Sequence, residues 1–190
     1  MELSDSIVMD PHKTLFLPYG TGALLVKNQD RLLKSHQAGA DYMQDVLNVE
    51  ATSPATLSPE LTKHFRGLRL WLPLQILGVG PFRAALQEKM LLARYFHEQL
   101  SGFNGFEVGP EPDLSVVTYR FIPDSGDADT FNERLVQAIH NDGRIFVSST
   151  RLNGVYMLRM AALCFRTHKK DIDTALTVLK ELSSALNQTH

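Results

Sequence analysis

Asp10-Pro11-His12-Lys13 sets a primary amine beside an imidazole at the end of a short apolar run, Ser6 to Asp10. A lysine amine taken out of water loses its proton more readily and can then bond to a carbonyl carbon as a Schiff base. The same lysine at a strand end can instead lead its head group out to solvent along its aliphatic stem. His12 beside it is a surface or hydrogen-bonded histidine, or a partner in that chemistry. Downstream, Gly20-Thr21-Gly22 makes a turn whose backbone N–H groups could cradle a phosphate. It lacks the G-x-G-x-x-G spacing of a dinucleotide loop, and no helix clearly opens on it. The residue types alone leave these readings open.

Other reactive residues form no recognisable constellation. The seven histidines (12, 36, 64, 97, 140, 168 and 190) include no His-x3-His pair, and Cys164 is the single cysteine. There is no G-x-S-x-G elbow for a serine nucleophile. Arg159, within a strand pattern, fits either a carboxylate ligand or a buried ion pair. Cys164 reads as a small buried apolar residue, and Trp71 with its neighbouring leucines as core.

The elements that must position these residues follow from periodicity. Residues 6–10 and 23–27 read as short buried strands flanking a Pro18, Gly20, Gly22 turn. A short helix is expected from Gln29 to Ser35, then a long loop with prolines at 54 and 59. Pro73 should split or kink a helix over 66–78. The clearest helix follows Gly80: Phe82, Leu86, Met90, Ala93, Phe96 and Leu100 share one face, with Arg83, Glu88, Lys89 and Glu98 mostly on others, and Gly102 ends it.

From residue 103 the pattern becomes strand, helix, strand, strand, helix. Val117, Tyr119 and Phe121 alternate with polar residues, Asp142-Gly143 stops a helix, and Asn153-Gly154 joins a hairpin of "RIFVSST" and "VYMLRMAAL". Thr167 or Asp171 opens a last helix carrying Ile172, Ala175, Leu179, Leu182 and Leu186 on one face. This is a small α+β domain over 103–190. Residues 1–102 hold too few strands for a closed sheet and read as the end of a larger α/β domain whose beginning is absent.

Composition narrows the class. Over 190 residues, 44% are hydrophobic and 21% charged, as in ordinary globular proteins. A net charge of -2 gives no electrostatic reason to expect nucleic acid or an anionic membrane. One cysteine fits a reducing cytoplasm. No apolar run approaches the roughly 20 residues of a membrane span, and the first residues lack a signal-peptide pattern.

The segment Asp5-Ser6 through Asp10-Pro11-His12-Lys13 resembles the cofactor-lysine motif of the group II pyridoxal-phosphate-dependent amino acid decarboxylases. "GTGALLVK" is similar to the strand that returns after that lysine. "HFRGLRLWLPLQILGVGPFRAAL" is similar to the family's Arg-Arg-Phe-Arg-x-Leu-Lys-x-Trp stretch and the helix after it, and "MLRMAALCFRTHKKDID" to its strand before the final helix. The resemblance runs along nearly the whole chain. It implies the C-terminal part of a fold-type I pyridoxal-phosphate-dependent large domain (1–102, with a catalytic loop at about 36–60) and the small domain (103–190).

The resemblance also implies roles. Lys13 would carry pyridoxal 5′-phosphate covalently, and His12 would lie against the cofactor and its phosphate. Tyr42, in "GADYMQD", takes the place of a catalytic-loop tyrosine that protonates the substrate α-carbon after carbon dioxide leaves. Thr62 and Lys63 become candidates for contact with the neighbouring subunit's cofactor phosphate. Asp10 stands where many members have asparagine, Ser6 matches a serine without an assigned role, and the paired arginines before the tryptophan stretch are replaced by Lys63 and His64. The expected activity is decarboxylation of an L-amino acid to an amine by a cytoplasmic homodimer, without nucleic acid, membrane or metal. The alternatives are an aldehyde synthase, an aminotransferase-like enzyme, or a fragment that only dimerises. The residues that hold most of the cofactor in the family precede its lysine motif, so they are expected to be missing from this chain.

Overall fold

The computed structural model describes residues 2–36, 53–60 and 62–188. They fall into two compact units, 1–78 and 79–190.

The first unit opens with β1 (Ser6–Met9), one helical turn α1 (Pro11–Thr14) and β2 (Ala23–Val26). The strands pair antiparallel from Ser6↔Val26 to Met9↔Ala23 and form a two-stranded sheet. Helix α2 (Gln29–His36), a 3₁₀ turn at Pro54–Thr56 and helix α3 (Gly67–Leu77) complete the unit. Pro73 lies inside α3 without ending it, and Gly78 at φ 73° closes the helix.

The two strands were expected to be buried, and they are not. Val8 is 72% exposed, and Leu24 and Leu25 are about half exposed. A sheet of two strands has no further layer to cover both faces. Trp71, read as core, is likewise exposed, together with Leu68, Leu72, Ile76 and Leu77 along α3.

The second unit begins with α4 (Gly80–Ser101), which starts with Pro81 in its first turn, where the missing N–H costs nothing. Strands β3 (Phe106–Val108), β4 (Val116–Phe121), β5 (Ser148–Leu152) and β6 (Val155–Ala161) form an antiparallel sheet in the order β3-β4-β6-β5. Helix α5 (Ala128–Asp142) lies between β4 and β5 in sequence, and α6 (Lys169–Gln188) ends the unit. Asp127 caps α5 by accepting from the Thr130 N–H at 2.8 Å. Gly143 closes it in the left-handed region at φ 76°, donating to the Ile139 carbonyl. Asn153 and Gly154 both have positive φ, as a two-residue hairpin turn requires.

The core joins Leu92, Ala93, Phe96 and Leu100 of α4 to Val117, Tyr119 and Phe121 of β4, Leu158 of β6, and the apolar faces of α5 and α6. Composition suggested a division after residue 102, which leaves α4 with the preceding residues. Its packing groups it with the residues that follow.

Three smaller expectations also change. Strand β5 starts at Ser148 rather than Arg144, because the residues before it are tied to α5: the Phe146 ring stacks on His140, whose Nε2 meets the Val147 carbonyl at 2.8 Å. Cys164 is exposed. Lys89, assigned to a polar face, is 1% exposed, with its ammonium donating to Glu88 and to the Phe165 and Thr167 carbonyls.

Candidate functional site

Lys13 and His12 sit in α1, immediately after β1. Pro11 occupies the first helical position, and the Lys13 and Thr14 N–H groups both donate to the Asp10 carbonyl. The turn does not propagate. Phe16 has φ 57°, a left-handed conformation that is costly for a bulky residue, and it redirects the chain toward the Pro18–Gly22 return. Lys13 was expected at a strand end and stands instead in a helical turn. A Pro-initiated tetrapeptide is too short for periodicity to reveal it.

The return turn holds His12. Thr21 is 2% exposed; its hydroxyl donates to the Pro18 carbonyl at 2.9 Å. Its own carbonyl lies 2.7 Å from His12 Nδ1 and also accepts, more weakly, from the His12 backbone N–H. A carbonyl oxygen can only accept, so the bond places a hydrogen on Nδ1 and leaves Nε2 as the other face of the ring. The Tyr19 ring meets the imidazole edge-on at 5.1 Å. The Gly20-Thr21-Gly22 turn, weighed above as a phosphate cradle, thus carries the acceptor that orients a histidine.

Lys13 lies on the open side. Its Nζ donates to Asp10 Oδ2 at 2.6 Å, and its side chain is 61% exposed. The desolvated amine of one reading is therefore not formed by the described residues. The ammonium donating into Asp10 holds that carboxyl below the usual carboxylate range, with the charges of Lys13 and His12 adding to the effect. An ion pair this exposed contributes little to stability. What it fixes is the position of a primary amine next to an oriented imidazole.

The other expected site residues lie elsewhere. Thr62 is exposed on the segment leading into α3. Lys63 beside it turns its amine to the Pro54 carbonyl at 2.9 Å and to the Ser58 hydroxyl. Tyr42 lies outside the described residues, as does most of the expected catalytic loop. Arg159 is exposed, in register with Ser148 and Thr118, and its Nη1 lies 3.3 Å from Ser148 Oγ, so it is not a buried ion pair. Among the described residues no group of three His, Cys, Asp or Glu side chains is placed to hold a metal.

Two participants escaped the sequence reading. Thr21 is the only buried polar side chain of the first unit among the described residues; a threonine enclosed by two glycines was the available signal. Arg69 reaches across from α3 to donate from Nη1 to the Tyr19 carbonyl at 2.9 Å. Nothing in its spacing announced a contact with a residue 50 positions earlier.

Chemically, the arrangement presents an accessible amine that can bond to a carbonyl once it has lost a proton. Beside it are a neighbouring carboxylate and an imidazole of fixed tautomer.

Comparison with known proteins bears on that reading. The model of the pyridoxal-dependent decarboxylase conserved domain matches residues 1–122. An aromatic-L-amino-acid decarboxylase of Bacillus atrophaeus is 31% identical over 190 residues, covering 97% of this chain and 40% of the relative. Tyrosine decarboxylase 2 of Arabidopsis thaliana is 29% identical, covering 97% and 35%. Among solved structures, Oryza sativa TDC with PLP and tryptamine superposes with a TM-score of 0.89 at 25% identity, covering 97% of this chain and 40% of that one. The chain thus spans about 40% or less of the length of these relatives.

Proposed function

The chain belongs to the pyridoxal-dependent decarboxylase family, and on that premise we propose that it serves the decarboxylation of an L-amino acid to the corresponding amine, with pyridoxal 5′-phosphate as cofactor. The observation that carries the reading is the accessible Lys13 amine beside His12, whose ring is held by the Thr21 carbonyl, inside the segment matched by the family model.

The residues fit such a group in two respects. A pyridine aldehyde needs a primary amine that it can reach, and Lys13 Nζ is open to solvent. A planar ring needs an oriented partner, and His12 is fixed through Nδ1. When bound, pyridoxal phosphate supplies an electron sink for the pair left behind by the departing carboxylate.

In this reading Lys13 Nζ would hold the cofactor through its aldehyde. Asp10 Oδ2, 2.6 Å away, holds the amine in place beside His12. His12 supports the cofactor, and Thr62 contacts the phosphate held by a neighbouring subunit. Tyr42 delivers a proton to the substrate α-carbon, which directs the reaction to amine rather than aldehyde. The domain reading goes with this assignment: 1–102 as the end of the cofactor domain and 103–190 as the small domain, with α4 the connecting helix whose apolar face completes the small domain's core.

A homodimer in the cytoplasm completes the proposal, with the second copy seated over residues 60–100. The exposed Phe65, Leu68, Trp71, Leu72, Ile76 and Leu77 support this, since so dense an apolar stripe is characteristic of a contact surface. Among the described residues no helix is long and apolar enough to cross a membrane.

The test is to add pyridoxal phosphate, reduce with borohydride and weigh the protein. The expected result is a single adduct that is absent in Lys13→Ala. No adduct under any condition overturns cofactor binding by this chain, and aldehyde with peroxide in place of amine, in an assay with L-amino acid, overturns the reaction proposed here.

A further inference from the structure

We propose that Arg69 is a positioning residue of the Lys13 site, acting through the Tyr19–Thr21 turn on the orientation of His12. The inference rests on the reading above only for its cofactor measurement.

Three consecutive residues carry the argument. The Tyr19 carbonyl accepts from Arg69 Nη1 at 2.9 Å. Gly20 has φ +82°, a conformation that favours glycine, and a Cβ there would lie 3.3 Å from the same Nη1, so a side chain would also press on the guanidinium. The Thr21 carbonyl, one peptide on, orients His12 through Nδ1 at 2.7 Å. The Tyr19 side chain closes the loop by its edge contact with the His12 ring. Arg69 thus fixes the first peptide of the turn, and the last one fixes the imidazole next to Lys13.

The choice of partner is informative. One turn earlier, at the start of α3, Arg66 pairs conventionally with the Glu60 carboxylate at 3.0 Å. Arg69 Nη1 instead meets a neutral carbonyl on a segment 50 residues away. A charged donor on a main-chain carbonyl holds backbone rather than balancing charge, and the backbone it holds is the one that carries the histidine's acceptor.

The experiment reads His12 directly. In the full ¹⁵N-labelled chain, the imidazole nitrogens of His12, assigned with His12→Gln, are expected to show the Nδ1–H form. Arg69→Met should convert them to an exchange-averaged mixture of tautomers, and Arg69→Lys should restore at least half of the shift. Arg66→Met, which breaks the neighbouring ion pair, should leave them unmoved. Pyridoxal phosphate should bind Arg69→Met about tenfold more weakly, the size of one lost hydrogen bond.

Unchanged His12 signals in folded Arg69→Met overturn the proposal, as does an equal response in Arg66→Met, which would mean general loosening of α3. If Arg69→Met does not fold, Gly20→Ala decides: wild-type His12 signals there overturn it. If the wild type itself takes up no pyridoxal phosphate, the cofactor reading fails, while the nitrogen signals still decide the role of Arg69.

Discussion

The two units differ in what they bury. The second encloses a continuous core in which Phe96, Tyr119, Leu135 and Leu158 are fully shielded. In the first, only Pro11, Leu17 and Thr21 are buried among the described residues, while valine, leucine and tryptophan side chains stand open. The second unit therefore derives its stability from its own packing. The first holds its local geometry mainly through hydrogen bonds: the β1–β2 ladder, the Thr21–His12 bond and the Arg69–Tyr19 bond. A chemically equipped turn is thus carried on the unit with the smaller core, and binding segments are drawn from the low-stability end of a structure.

The largest test of this contrast truncates a core side chain. Phe96→Ala should destabilise the second unit by about 3–5 kcal/mol, read as a lowered urea midpoint in far-UV circular dichroism. Leu25→Ala, at a position 54% exposed, should cost below about 1 kcal/mol. The single tryptophan, Trp71, lies in the first unit, so its fluorescence reports that unit separately. Equal costs at the two positions would break the comparison.

Next in size is Lys89→Met. It leaves the Phe165 and Thr167 carbonyls without the ammonium they now accept from, and should cost about 1–3 kcal/mol in the same measurement. No loss would mean that water replaces the lysine and that this end of the core is open.

A third substitution should act in the opposite direction. The Tyr119 hydroxyl is buried without a hydrogen-bond partner among the described residues, and burial holds the phenol well above its ordinary pKa. Tyr119→Phe removes an unsatisfied group and should raise the urea midpoint, by up to about 1–2 kcal/mol. A drop would reveal a partner such as a bound water.

The smallest effect is in pH. Glu88 is held below its ordinary pKa of 4.5, first by the hydrogen bond from His168 and then by that from Lys89. A depressed carboxyl stabilises the fold fully above its unfolded pKa, and that contribution is lost as pH falls through the lower folded value. His168→Ala should therefore lower the urea midpoint above pH 4.5, pH 7 included, and flatten its decline on the acid side, where variant and wild type converge. Because the pair is half exposed, the change should be small. An unaltered acid-side slope would assign the decline to other carboxyls.

Much of the second unit was legible from periodicity because its elements are long and face one core. The Phe96 and Leu100 stripe, the Val117-Tyr119-Phe121 alternation and the Asn153-Gly154 turn all carry a burial pattern that repeats. Lys89 was misplaced because it lies on the buried face for the sake of carbonyls nearly 80 residues downstream, which no local pattern encodes. In the first unit, the apolar runs of β1 and β2 marked strands correctly but not their exposure: an apolar pattern records what a strand is built to meet, not what covers it in this chain. Lys13 and His12 were visible by type and order. The Thr21 carbonyl that orients His12 and the Arg69 guanidinium that holds the turn were not, because main-chain acceptors leave no mark on residue identity.

The lysine inside the second unit has a consequence for the order of events during synthesis. Its carbonyl partner at Thr167 lies 78 residues downstream, which at about 5–20 residues per second is roughly 4–16 s of translation. Until then the nascent α4 presents an apolar face interrupted by a cation that has the neighbouring Glu88 but neither of its two carbonyl acceptors. Burying that face in an alternative apolar contact would leave the ammonium short of two of its three acceptors. Lys89 thereby disfavours early burial of that face, and its full set of hydrogen bonds forms only once Phe165 and Thr167 are at hand.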